Sequence, residues 1–149
     1  MTTSLEISKA LKELGYPQGD GVFYWYYGKD YTKNNVRRIL WNAGDNKFVD
    51  HRREKVACPL PSDAVIAAPT AEEILEKLPP SIIVNGETLH LVIMDDRDWV
   101  GEASWDICYS KDRLFSWDIH VREKGKIGDG AFAGACAKMW ILLKKLNLL

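Results

Sequence analysis

From Pro69 onward the sequence alternates between two periodicities, and this pattern constrains the fold more than any other feature. Thr70-Ala71-Glu72-Glu73 matches a capping box, in which a threonine oxygen and a glutamate satisfy helix N–H groups reciprocally. Ile74, Leu75 and Leu78 supply that helix's apolar face, and Pro79-Pro80 ends it. Asn85-Gly86 then sits between two β-favouring runs, Ser81 to Val84 and Thr88 to Met94. Both turn positions tolerate positive φ, so the pair predicts a tight hairpin. Asp95 to Trp99 read as the next turn.

Two more strands are expected at Val100 to Tyr109 and Leu114 to Val121. In the first, Ala103, Trp105, Ile107 and Tyr109 alternate with Glu102, Ser104, Asp106 and Cys108. In the second, Phe115, Trp117, Ile119 and Val121 alternate with Ser116, Asp118 and His120. Period-2 alternation of this kind predicts a sheet with one buried and one wet face. A small-residue helix over about 129–146 closes the sequence. Ala131, Ala133, Gly134, Ala135 and Ala137 would let it lie close to the sheet, with Asp129 as its N-cap.

The first half follows the same grammar less cleanly. Thr3-Ser4-Leu5-Glu6 matches a capping box with Thr3 as the cap. Ile7, Ala10, Leu11 and Leu14 form one helical face, Gly15 suits the C-terminus and Pro17 forbids continuation. Val22 to Tyr27 is almost wholly aromatic, and Val36 to Trp41 is a second β-like run containing Arg37 and Arg38. Residues 48–68 read as irregular, with one short strand at most. The expectation is one α+β domain over residues 1–149, with an antiparallel sheet of about five to seven strands. An N-terminal helix, a short middle helix and a longer C-terminal helix pack on it.

Composition narrows the function classes. Twenty basic and 21 acidic residues leave a net charge of −1, which provides no general field for nucleic acid or anionic lipid. No apolar run reaches the roughly 18 residues of a membrane span. No basic leader precedes an apolar segment at Met1. Cys58, Cys108 and Cys136 are odd in number and lack CxxC spacing, so reduced thiols in a cytoplasm are expected.

Several residue runs resemble a family of small, uncharacterised phage and prophage proteins. They are Ser4-Leu5-Glu6 with Leu11 to Gln18, the aromatic run Phe23 to Tyr27, Ala68 to Leu75 with Leu78-Pro79, and Ala133 to Leu143 with Leu146. The resemblance implies a viral or prophage origin and a host-cell cytoplasmic setting. It implies no reaction, because these runs are helix caps and core patterns.

The chemistry-bearing candidates each have a plainer reading. Asp95, Asp96 and Asp98 could ligate a cation, but acidic residues are ordinary in turns. His120 with Asp118 and Ser116 shares a strand face, which is poor geometry for a catalytic triad. His120 and Asp118 with the Asp95–Asp98 turn form the enzyme alternative, and His90 is a further strand histidine that could converge on them. Cys58 lies near His51, Arg52, Arg53 and Lys55 without any sign of contact. Gly125 to Gly130 lacks phosphate-loop spacing. No cofactor and no metal are expected.

Six Trp and six Tyr are many for this length, and surplus aromatics commonly anchor interfaces. Those of the first half lack clean alternation and cannot all face one core. The favoured reading is therefore a non-enzymatic protein-binding module. Its contact residues are Tyr24, Tyr26, Trp41, Arg37 and Arg38, and its partner is a host or phage protein. A homo-oligomer is left open, and membrane is not expected. The charge balance argues against nucleic acid, yet the basic and aromatic first half keeps single-stranded nucleic acid as a further alternative.

Overall fold

The computed structural model describes residues 2–18, 23–29, 36–42, 47–49, 65–97, 102–111, 119–126 and 130–149. For residues 26–29, 36–42, 47–49, 65 and 97 it describes strand placement alone. The class is α+β. The described strands divide between two four-stranded antiparallel sheets rather than joining in one. Two compact units, Thr2–Pro69 and Thr70–Leu149, each contain one of these sheets.

In the first unit, helix α1 spans Leu5–Glu13. Strands β1 (Phe23–Lys29), β2 (Val36–Asn42), β3 (Lys47–Val49) and β4 (Val65–Ala67) follow, in the order β3-β2-β1-β4. The helix cap is Ser4, whose Oγ accepts from the Ile7 N–H, and not Thr3 as the sequence suggested. Thr3 is buried, and its hydroxyl bonds the Ser8 hydroxyl at 2.8 Å. That bond explains why Ser8 can turn inward with Leu5 and Leu11, while Ile7, Ala10 and Leu14 are only half-buried. Gly15, at φ 84°, adopts the left-handed turn that ends the helix. The Thr3 N–H donates to the Pro69 carbonyl, and α1 packs against β4.

In the second unit, α2 (Ala71–Leu75) is followed by β5 (Ser81–Val84), β6 (Glu87–Arg97), β7 (Glu102–Ser110), β8 (Ile119–Lys126) and α3 (Ala131–Lys145). The strands lie in sequence order, β5-β6-β7-β8, every neighbour antiparallel. The Thr70 capping box is present in full: Glu73 N–H donates to Thr70 Oγ1, and Thr70 N–H donates to the Glu73 carboxylate. Asn85 at φ 52° and Gly86 at φ 81° form the hairpin turn, with Val84 opposite Glu87.

Helix α3 packs on β7, β8 and α2. Residues 133–137 are all buried, and their small side chains let this stretch of the helix lie close to its neighbours. Trp105 of β7 stacks on Phe132 of α3 at 4.3 Å between ring centroids. Tyr109 is fully buried, and its hydroxyl donates to the Pro79 carbonyl at 2.5 Å. Trp117, on the apolar face expected of the last strand, lies outside the described residues. So do Leu114 to Asp118 of the expected last strand, and β8 runs from Ile119 to Lys126 instead.

Two further expectations change. Asp95 and Asp96 belong to β6, which continues to Arg97, so they are strand residues and not turn residues. The N-cap of α3 is Gly130 at φ 93°, a conformation that favours glycine, and Asp129 lies outside the described residues.

Candidate functional site

The first candidate is the aromatic pair of strands β1 and β2. Their register pairs Tyr24 with Trp41, Tyr26 with Ile39, Tyr27 with Arg38 and Gly28 with Arg37. Tyr24 and Trp25 are both half-buried, and being consecutive they leave the strand on opposite faces. Trp25 donates its indole N–H to the Thr3 carbonyl at 2.8 Å, which fixes its face as the one toward the N-terminal segment. Tyr24 therefore points to the other face. By period and register, positions 26 and 41 fall on the same face as Tyr24. Arg37 and Arg38 occupy successive positions, and only that of Arg37 belongs to this set. The side chains of Tyr26, Trp41, Arg37 and Arg38 themselves lie outside the described residues.

The sheet of this unit is held at its other side by Gln18. Its amide oxygen accepts from the Ala67 N–H at 3.0 Å, and its amide nitrogen donates to the Tyr16 carbonyl at 2.9 Å. One side chain thereby ties β4 to the segment after α1.

The second candidate lies on the face of β7 and β8 opposite Trp105. Asp106 is register partner of Arg122, and Cys108 is register partner of His120. Arg122 binds the Asp106 carboxylate in a fork, with Nε at 2.9 Å from Oδ1 and a terminal nitrogen at 3.0 Å from Oδ2. His120 Nε2 stands 2.6 Å from the same Oδ1. The Asp106 side chain is 6% exposed and that of Arg122 51%, so a buried anion is held under a solvated cation. The Arg122 guanidinium holds the Asp106 carboxyl below its ordinary range, against the opposing effect of burial, and His120 adds to the lowering.

The sequence expected this face to be wet. On β8 it is, with Arg122, Lys124 and Lys126 exposed. On β7, however, Asp106, Cys108 and Ser110 are all buried. The reason is position and size. Strand β7 is central, and its short side chains stand in register between longer ones: Met94 and Arg122 flank Asp106, and Val92 and His120 flank Cys108. Ser104 has a buried hydroxyl without a hydrogen-bond partner among the described residues.

As chemistry, this cluster is an ion network more than a reaction centre. Both carboxylate oxygens of Asp106 already accept hydrogen bonds. Cys108 is the nearest nucleophile by register, but burial, and then the Asp106 charge, push its thiol pKa up. Burial pushes Cys136 up to about 12. Neither is a thiolate near neutrality, and both are free of disulfides. Asp95 is register partner of Trp105, on the α3 side, so it does not meet His120. Asp118, Asp98 and Cys58 lie outside the described residues, as do residues 127–129 of the glycine-rich loop; Gly125 and Lys126 are in β8.

Sequence reading named His120 but missed Asp106 and Arg122. The signal was the i, i+2 spacing of His120 and Arg122, which puts both on one strand face. Their meeting with Asp106 requires the β7–β8 register. Among the described residues no group of three or more His, Cys, Asp or Glu is arranged to hold a metal ion. No helix among them is long and apolar enough to cross a membrane. In comparisons with known proteins, no family model, curated protein or solved structure matches this chain.

Proposed function

We propose that this chain is a phage or prophage accessory protein that works by binding a host or phage protein, with the aromatic pair of strands β1 and β2 as its contact surface. The observation that carries the reading is the Tyr24–Trp41 register pair. It lies on the face turned away from Trp25, whose N–H is satisfied by Thr3. Tyrosine and tryptophan give rigid, amphipathic contact area at low entropic cost, which makes them effective anchors. The support for the origin is the resemblance of the residue runs Leu11 to Gln18, Phe23 to Tyr27, Ala68 to Leu75 and Ala133 to Leu143 to those of small phage proteins. Free Cys108 and Cys136 fit a reducing cytoplasm. No cofactor or metal is needed.

The test is capture from host lysate by the immobilised chain. The double change Tyr24→Ala and Tyr26→Ala should lose the captured protein while the far-UV spectrum persists. His120→Ala should retain it. Loss with the histidine change alone would refute the binding account.

A small enzyme is the second reading, and the 2.6 Å His120–Asp106 bond favours it. A carboxylate that orients an imidazole is the usual support of a general base. The reading requires a nucleophile or substrate at His120, and the same histidine change tests it.

A further inference from the structure

The two edges of the Thr70–Leu149 sheet differ in kind. The β8 edge carries Arg122, Glu123, Lys124 and Lys126, and charges of this sort block strand-to-strand association. The β5 edge, Ser81-Ile82-Ile83-Val84, carries no charge at all. Among the described residues no strand pairs with its outer side.

Backbone alternation defines what that edge offers. The Leu91 N–H donates to the Pro80 carbonyl, so residue 80 turns its polar backbone inward to β6. Antiparallel ladders alternate, which turns residues 82 and 84 inward as well and 81 and 83 outward. The N–H and C=O of Ser81 and of Ile83 therefore face away from the sheet. Ile83 is 69% exposed, the most exposed of the large apolar residues described. Ile82, on the helix-covered face, is buried.

We propose that this edge pairs with the same edge of a second copy of the chain, β5 against β5 in antiparallel, to join two sheets across a twofold axis. The outward groups lie symmetrically about Ile82. A twofold axis through Ile82 sets Ser81 opposite Ile83 of the second copy and Ile83 opposite Ser81 of the second copy. Each pair exchanges two N–H to C=O bonds, and all four outward residues are satisfied at once. Self-pairing brings each residue against its own kind of neighbourhood, so any net charge in the strand would repel itself. This strand has none, whereas β8 has several. The pairing also covers Ile83, which then packs beside Ser81 of the second copy. A strand this short covers well under the roughly 1,200 Å² of a stable interface, so the dimer forms and separates with concentration.

Sedimentation velocity on the full chain, from low micromolar to about millimolar, tests this. Wild type should shift from monomer to dimer across the range. Ile83→Lys, which sets like charges across the axis, should remain monomeric throughout. Ile83→Pro removes an outward donor only, a change edge strands tolerate, and it should remain monomeric too. A wild type that is monomeric throughout, or a dimer that survives both changes, overturns the proposal. Hydrogen exchange on the wild type reads the same point without a variant. The Ser81 and Ile83 amides should be protected at high concentration and open at low. Equal exchange at both overturns it.

Discussion

Asp106 and His120 stand on neighbouring strands as diagonal and not direct register partners, yet they are joined at 2.6 Å. Arg122 closes the set from the direct position. The three side chains tie the centre of a sheet to its edge strand, and they make the contribution of Asp106 to stability depend on pH.

Asp106 has a folded pKa below its unfolded value, so its contribution is complete above the ordinary carboxylate range near ~4. It is lost as pH falls through the lowered folded value. Denaturant unfolding should therefore show wild type losing more stability between neutral and strongly acid pH than Asp106→Asn does. At neutral pH the asparagine variant should be about 1.5–3 kcal/mol less stable, the usual worth of charge-assisted hydrogen bonds. Parallel pH profiles for the two proteins would contradict the assignment.

Trp105 stacks on Phe132 and joins β7 to α3. Both rings are half-buried, so truncation should cost less than a core aromatic. Phe132→Ala should destabilise by about 2–3 kcal/mol, with a loss of near-ultraviolet ellipticity from the tryptophan. A loss below about 0.5 kcal/mol, the size of an ordinary surface change, would show that the stack contributes nothing.

Trp25→Phe keeps the aromatic bulk and deletes the indole N–H that reaches the Thr3 carbonyl. The deletion should cost about 1–2 kcal/mol, because an acceptor is left without its donor. An unchanged denaturation midpoint would argue that water replaces the indole at no cost.

The thiols offer a separate check. Cys108 and Cys136 are buried and free, with pKa values pushed up, that of Cys136 to about 12. In the folded chain both should react slowly with a thiol reagent at neutral pH. Denatured without reductant, all three cysteines of the sequence should titrate. A single reactive thiol after denaturation would reveal a disulfide.

Much of the fold was legible where local chemistry decides it. The Thr70 capping box, the Asn85-Gly86 hairpin and the small-residue C-terminal helix follow from caps, turn conformation and periodicity alone. The division into two sheets was not legible, because periodicity shows that a strand exists and not which strand it pairs with. The Thr3 and Ser4 roles were exchanged for a tertiary reason: Thr3 finds Ser8 and a place in the core. Asp106 was misread as wet because alternation assumes a bare face, and a central strand with short side chains between long ones is not bare. Of the candidate contact surface, the strands bearing Tyr24, Tyr26 and Trp41 were legible. The Tyr24–Trp41 pairing was not, since no tight-turn signal fixes the β1–β2 register.

The central claim is that binding resides on the Tyr24 face of β1 and β2. Its most direct measurement is the dissociation constant for the captured partner, taken with wild type, with Tyr24→Ala alone and with His120→Ala. The account predicts at least a tenfold weakening for the tyrosine change, about 1.4 kcal/mol, and no change for the histidine. Equal affinity of wild type and Tyr24→Ala, with the fold intact in both, would contradict it.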